Sequence, residues 1–252
     1  MKKLDGKITL VTGGGSGIGR AAALSCAREG AKVVIADILA EGSEETVEMI
    51  KKSGGQALFF KTDVSRADEV EALIKNAVGT YGRLDCAFNN AGIGGGASVT
   101  HKADEEHWDR LMNINLKGVW LCMKYEITQM LEQGGGAIVN MSSVAGLVGM
   151  MRTPAYVATK HGVIGLTKTA ALEYAAAGIR INAVCPGVIR TPLIDRNVST
   201  HPPLAEHYRN MHPMGRLGEP EEIAEAAVWL LSDAASFVTG HAMAVDGGLV
   251  AQ

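Results

Sequence analysis

Three side chains of this sequence could manage a proton between them: Ser143, Tyr156 and Lys160. Tyr156 and Lys160 stand four apart in the stretch YVATK, a spacing that puts two side chains on one face of a helix. A free phenol has a pKa of about 10 and is a poor base at neutral pH. An ammonium nearby favours the phenolate and lowers that pKa, each unit being worth about 1.4 kcal/mol. Ser143, thirteen residues before Tyr156 at the end of an apolar run, could donate to an oxygen that gathers charge. Tyr and Lys four apart are ordinary in helices; a second pattern upstream gives the trio its meaning.

That pattern is TGGGSGIGR, Thr12 to Arg20. A glycine turn between a strand and a helix lets backbone N–H groups meet a pyrophosphate at the helix N-terminus. The spacing G-x-G-x-x-G fails, because Ile18 stands where the last glycine belongs. Gly13-x-x-x-Gly17-x-Gly19 fits. Gly13 makes the turn out of the strand, Gly17 lets the pyrophosphate approach, and Gly19 allows the helix to pack closely on the sheet. Gly14 and Gly15 shape a longer turn. Asp37 ends the next apolar run, about 20 residues on, where an acid can bond the adenosine ribose hydroxyls. Turn, strand and acid together point to a dinucleotide rather than a lone phosphate.

The elements that must position these groups are legible in the alternation of short apolar runs with helical patterns. Runs at Ile8 to Val11, Lys32 to Ala36, Ala57 to Phe60, Leu84 to Phe88, Ala137 to Met141, Ile179 to Val184 and Ala242 to Val245 read as strands buried on both faces. Helical patterns lie between them at Gly17 to Glu29, Ser43 to Lys52, Ala67 to Thr80, Glu105 to Glu132, Ala155 to Ala177 and Glu221 to Leu231. This predicts one α/β domain over 1–252: a doubly wound, Rossmann-type sheet of about seven mostly parallel strands with helices on both faces. Residues 191–216 hold four prolines, break the pattern and read as a lid over the strand ends. Several runs end in Asp, Asn, Ser or Pro-Gly, the edge at which such sheets bind ligands.

Composition narrows the function classes. The 252 residues carry a net charge of −3, with 47% hydrophobic and 20% charged residues, which suits a large core and no disorder. Nothing favours nucleic acid or a membrane as partner. Cys26, Cys86, Cys122 and Cys185 are widely spaced and read as buried reduced thiols. The charged N-terminus lacks a signal-peptide pattern, so a cytoplasmic location is expected. His201, His207 and His212 crowd the lid without metal-ligand spacing; no metal is expected, and the segment reads as partly exposed.

The motifs, in this order, resemble the short-chain dehydrogenase/reductase superfamily over nearly the whole chain. They are TGGGSGIG, Asp63-Val64, NNAG (Asn89 to Gly92), NINLKG (Asn113 to Gly118), SSVAG (Ser142 to Gly146), YVATK, PGVIRT (Pro186 to Thr191) and VDGG (Val245 to Gly248). The resemblance implies Tyr156 as general acid/base and Lys160 as the neighbour that lowers its pKa and holds the nicotinamide ribose. It implies Ser143, rather than Ser142, as the residue that positions the substrate oxygen. Asn115, rather than Asn113, matches the fourth member, linking Lys160 to solvent through water. It implies a cofactor cradle of Gly13, Ser16, Gly17, Ile18, Gly19 and Asp37, then Asp63 and Val64 at adenine, and Asn89, Ala91 and Gly92 along the cofactor. Pro186, Gly187, Ile189 and Thr191 would run beside the nicotinamide, with Ile189 and Thr191 facing its carboxamide.

The activity expected is NAD(H)-dependent interconversion of a secondary alcohol and a ketone, the substrate being small, with an apolar pocket suggested by the lid's Leu, Ile and Met residues, in a homotetramer. NAD is expected over NADP because a 2′-phosphate would sit beside Asp37; two unit charges 4 Å apart repel by about 4 kcal/mol at an effective dielectric of 20. Ser16 and Ile38 occupy positions where phosphate-preferring relatives often carry Arg or Lys, and Arg20 reads as pointing along its helix. Two other readings stand beside this one. One is a non-catalytic NAD(H)-binding protein. The other is a 3-oxoacyl-carrier-protein reductase, disfavoured by the uncharged-to-acidic helix end Met130-Leu131-Glu132-Gln133.

Overall fold

In the computed structural model, which describes residues 2–251, seven parallel strands form one sheet in the order β3-β2-β1-β4-β5-β6-β7. They are β1 (Ile8–Thr12), β2 (Lys32–Asp37), β3 (Gln56–Lys61), β4 (Cys86–Asn89), β5 (Gly136–Met141), β6 (Ile179–Pro186) and β7 (Ala242–Val245). The strand order reverses between β1 and β4, where Thr12 pairs with Asn89. A crevice opens at such a switch point, outside the carboxyl ends of the strands.

Nine α-helices are described: α1 (Gly17–Arg28), α2 (Ala40–Lys52), α3 (Ala67–Tyr81), α4 (Glu105–Leu111), α5 (Gly118–Glu132), α6 (Pro154–Tyr174), α7 (Pro192–Thr200), α8 (Pro203–Asn210) and α9 (Pro220–Leu231). Alternate strand residues feed two cores. Val11, Val33, Ile35, Phe88 and Val139 pack with α1, α2 and α9 on one face. Leu10, Val34, Ala87, Ile138 and Ile181 pack with α3, α5 and α6 on the other. Each fully buried Leu, Ile or Phe contributes about 1.5–3 kcal/mol, and strands buried on both faces draw on both sides at once. All four cysteines are buried and free. No described helix is long and apolar enough to cross a membrane.

Two differences from the sequence reading concern the site. The pattern from Glu105 to Glu132 is one helical path, but Met112–Lys117 is π-helical and divides α4 from α5. Such insertions are frequent at functional sites, and Asn115 lies within this one. The segment read as a lid, residues 191–216, is also more regular than its prolines suggest. Pro192 and Pro203 open α7 and α8, where proline's missing N–H costs nothing and its fixed φ suits the first turn.

Candidate active site

The glycine turn is built by close approaches. Gly13 has φ +66°, and a Cβ there would come 2.9 Å from the Cα of Ala91; a Cβ on Gly19 would lie 2.0 Å from the Gly13 carbonyl oxygen. Both positions therefore require glycine, and together they press the first turn of α1 onto the end of β1. Gly17 also has positive φ, +51°, and a Cβ there would face only Thr191 and Pro192 at the start of α7. Ser16 is the exposed N-cap, its hydroxyl free of any capping bond, and Ile18 leans on the α9-side core. The result is a helix N-terminus with a side-chain-free approach, the shape and polarity a pyrophosphate needs.

Asp37 ends β2 beside this turn. Its Oδ2 accepts from the Gly15 N–H at 3.1 Å and its Oδ1 from the Leu39 N–H at 3.0 Å. The carboxylate is oriented, and each oxygen keeps acceptor capacity for a ribose hydroxyl. Arg20 does not run along its helix. Its guanidinium donates to the carbonyls of Gly15 (2.7 Å) and Gly42 (3.1 Å), to Thr46 Oγ1 (3.1 Å) and to Glu45 (2.6 Å), bolting α1 and the turn to α2.

Farther along the edge, Asp63 Oδ1 accepts from the N–H and hydroxyl of Ser65, and Val64 is buried against Gly118. Thr12 Oγ1 accepts from the N–H groups of both Asn90 and Ala91 at 3.0 Å, tying the NNAG segment to the glycine turn. A Cβ on Gly92 would lie 3.1 Å from Asn115 Oδ1. The side chain of Asn89 turns into the core, away from the crevice, where Nδ2 donates to Glu126 (2.9 Å) and Asn140 (3.0 Å). Only the backbone of Asn89 faces the site.

The residues expected to handle a proton lie close together. Tyr156 lies in the first turn of α6, near the positive end of its dipole, and Lys160 follows one turn later. Lys160 Nζ sits 5.5 Å from the Tyr156 ring centroid and donates to the Met141 carbonyl at 2.9 Å. Ser143 follows the end of β5; its Oγ accepts from the Ala145 N–H, and its side chain lies beside the Tyr156 phenol. Ser142, in contrast, donates into the core to the Lys160 carbonyl. Asn115 is buried, with Oδ1 accepting from the Ile93 N–H (2.8 Å) and Nδ2 donating to the Ile93 carbonyl (2.9 Å), while Asn113 is exposed.

Electrostatics here differ from the sequence expectation in one respect. Burial pushes the Tyr156 phenol up from its ordinary value, and the hydrogen bond with Ser143 pulls it down. Burial also brings Lys160 down to about 8, opposed by Cys185 nearby. The lysine nitrogen lies over the Tyr156 ring, and burial is the largest cause of the shift in both groups. The neutral phenol is thereby favoured over the phenolate.

The far side of the crevice is formed by the chain leaving β6 through Pro186 and Gly187. Ile189 is buried in the core against Gly218, so it offers the crevice its backbone; Thr191 caps α7, accepting from the Ile194 N–H at 3.5 Å. His212 is buried rather than exposed. Its Nε2 accepts from the Val188 N–H (3.0 Å) and its Nδ1 donates to the Tyr208 carbonyl (2.7 Å), which joins α8 to the segment of Ile189 and Thr191. His107, to which the sequence gives no role, bonds the Gly95 carbonyl at 3.0 Å and anchors the Gly94–Gly96 loop. A Cβ on Gly95 would strike Tyr156.

A family model described as Enoyl-(Acyl carrier protein) reductase matches residues 13–250. The chain is 48% identical over 245 residues to the cyclohexanol dehydrogenase of Acinetobacter sp., covering 97% of this chain and 95% of that one. It is 46% identical over 252 residues, all of both chains, to the 2,5-dichloro-2,5-cyclohexadiene-1,4-diol dehydrogenase of Sphingobium indicum. A solved Agrobacterium tumefaciens structure, described as a 2-deoxy-D-gluconate 3-dehydrogenase with bound NADP, superposes with a TM-score of 0.91. It is 36% identical, covering 99% of this chain and 98% of that one. A glycine cradle at the switch point, a Ser–Tyr–Lys cluster beside it and this likeness along the whole chain have one explanation: the protein belongs to the short-chain dehydrogenase/reductase family of nicotinamide-dependent oxidoreductases.

Proposed function

We propose that the coenzyme is NAD(H) and the substrate an apolar secondary alcohol or ketone on a six-membered ring. The reaction is the interconversion of a secondary alcohol and a ketone. The nicotinamide supplies the hydride chemistry. In reduction Tyr156 donates its proton to the carbonyl oxygen, which Ser143 holds by a hydrogen bond; in oxidation the tyrosinate takes the hydroxyl proton back. Lys160 supplies positive charge beneath the ring and a donor for a ribose hydroxyl. Asn115 keeps the Ile93 backbone fixed beside this cluster.

The coenzyme reading is carried by Asp37, its two oxygens aimed by the Gly15 and Leu39 N–H groups. Arg20, the cation nearest the turn, is committed to four acceptors, and Ile38 is exposed where a 2′-phosphate would need a positive charge. The substrate class is supported by exposed apolar groups around the lid, Val148, Met151 and Leu193, with Leu193 packed toward Gly94. The ring-alcohol names of two relatives agree with it. Assembly as a homotetramer, in the cytoplasm, completes the reading; exposed Trp120 and Leu131 on α5 and Leu172 on α6 give these helices an apolar face to bury.

A panel of ring and open-chain secondary alcohols, followed by absorbance of the reduced coenzyme, tests the proposal. Expected is turnover of cyclohexanol-like substrates with kcat/KM at least roughly a hundredfold higher for NAD than for NADP, about 2.7 kcal/mol. Equal use of both coenzymes would remove Asp37 from the ribose. Turnover of carrier-bound 3-oxoacyl groups alone would transfer the chain to the carrier-protein reading.

A further inference from the structure

Beneath the crevice lies a buried polar chain that the reaction does not use. Asn140 on β5 donates from Nδ2 to Thr167 Oγ1 on α6 (3.0 Å) and to Met123 Sδ (3.2 Å). Its Oδ1 accepts from Asn89 Nδ2 on β4, which also donates to Glu126 Oε2 on α5. All four polar residues are at most 1% exposed. The Asn89 amide is oriented by this network, its Nδ2 toward the oxygens of Glu126 and Asn140. This leaves two oxygens of one bonded pair, Asn89 Oδ1 and Glu126 Oε1, buried and without a partner among the described residues.

Two acceptors cannot satisfy each other until one carries a proton, and an unpaired buried polar atom costs about 1–3 kcal/mol. A carboxylic acid and a carboxamide meet this need reciprocally: N–H to one carboxyl oxygen, O–H from the other to the amide oxygen. We propose that Glu126 is a neutral, proton-holding acid in the folded protein, donating to Asn89 Oδ1 and thereby fixing the end of β4 that carries the NNAG segment. The surroundings agree. On α5 the titratable neighbour is Cys122, one turn earlier; β4 presents Asn89, β5 Asn140 and α6 Thr167, none titratable, and the α3 side is apolar with Val70. Glu126 forms no ion pair among the described residues, and its main influence is burial, which pushes the carboxyl up to about 8 against the pull of Asn89.

The inference is independent of coenzyme and substrate, and so is its test. An acid whose folded pKa is raised leaves more protons on the native than on the unfolded chain between the two values, so stability falls as pH rises through that window and levels off above it. Infrared spectra of the wild type should show a protonated carboxyl C=O stretch at pH 6 that disappears above about pH 8, with no such band in Glu126→Gln. In denaturant titrations the folding constant of the wild type should fall between pH 5 and pH 9 more than that of Glu126→Gln, by on the order of several hundredfold. The glutamine keeps both hydrogen bonds and loses only the titration. No protonated-carboxyl band in the wild type, or equal slopes for the two proteins, would overturn the proposal and leave Glu126 ionised. If the variant does not fold, the wild-type band alone decides.

Discussion

The two halves of the sheet handle charge in opposite ways. On the β1–β3 side, Asp37 and Arg20 reach the edge and are held by backbone groups: two N–H donors for the acid, two carbonyls for the guanidinium. On the β4–β6 side, Glu126, Lys160 and Cys185 are buried and Tyr156 is half-buried, and loss of solvent is the first cause of every shift among them. The first half can recognise a polar ligand without altering protonation. The second stores protons where a small change in surroundings moves them. Perturbed groups of this kind gather at sites of chemistry; on the first half burial also raises the Cys26 thiol, but that group lies in the core under α1 and not at the strand ends.

The largest effect should come from the second half. Tyr156→Phe removes the phenolic proton and nothing from the cradle. Loss of a general acid/base costs 10²–10⁴-fold in typical cases, so we expect kcat to fall about a thousandfold with NADH affinity unchanged. Titration of NADH by fluorescence and steady-state assays separate the two. Retention of more than a tenth of the wild-type kcat would show that the proton moves elsewhere.

Lys160→Met should reveal the storage itself. The lysine's folded pKa, about 8, lies below its ordinary 10.5. Between these values the unfolded chain binds more protons, so wild-type stability gains a term that rises with pH from 8 to 10.5. Below pH 8 the buried ammonium costs about 3 kcal/mol on this account. Glu126 contributes the opposite slope, falling from 4.5 to 8, and the two combine into a stability minimum near pH 8. Denaturant titration of the variant should lack the rise above pH 8. A rise of the same size in the variant would mean that Lys160 is not neutralised on folding and that the halves differ less than the burial implies.

The recognition half was the easier to read from sequence, and its construction explains why. Glycine positions and a strand-end acid are backbone requirements, so Gly13, Gly17, Gly19 and Asp37 declare themselves by type and spacing. The five inner strands were legible for a similar reason: burial on both faces forces continuous apolar runs, whereas β3 and β7, at the sheet edges, are only partly buried and keep short ones. What stayed hidden depends on side chains meeting across elements. Arg20 crossing to α2, His212 buried between α8 and Val188, and the Asn89–Glu126–Asn140 chain leave no periodic trace. The π-helical turn at Met112–Lys117 keeps an α-like apolar pattern, and the proline-opened α7 and α8 look like breaks when only composition is read.

The smallest expected effect lies in the first half and concerns choice rather than rate. Asp37→Ala removes a carboxylate that would accept from the adenosine ribose. A hydrogen bond to a charged group contributes about 1.5–3 kcal/mol, so KM for NAD should rise roughly ten- to a hundredfold while kcat at saturation stays near wild type. NADP should gain, since the repulsion is gone, but only partly: Arg20 remains bound to Gly15, Gly42, Thr46 and Glu45 and supplies no phosphate partner. The NAD/NADP ratio of kcat/KM should therefore narrow without inverting. Adding Ile38→Arg to Asp37→Ala should narrow it further, as that position is exposed beside the acid. The pH profile of kcat should be the same in all three proteins, because none of the buried titrating groups has been touched. A shifted profile would show that the two halves are coupled and that recognition at β2 reaches the protons stored behind β4 and β5.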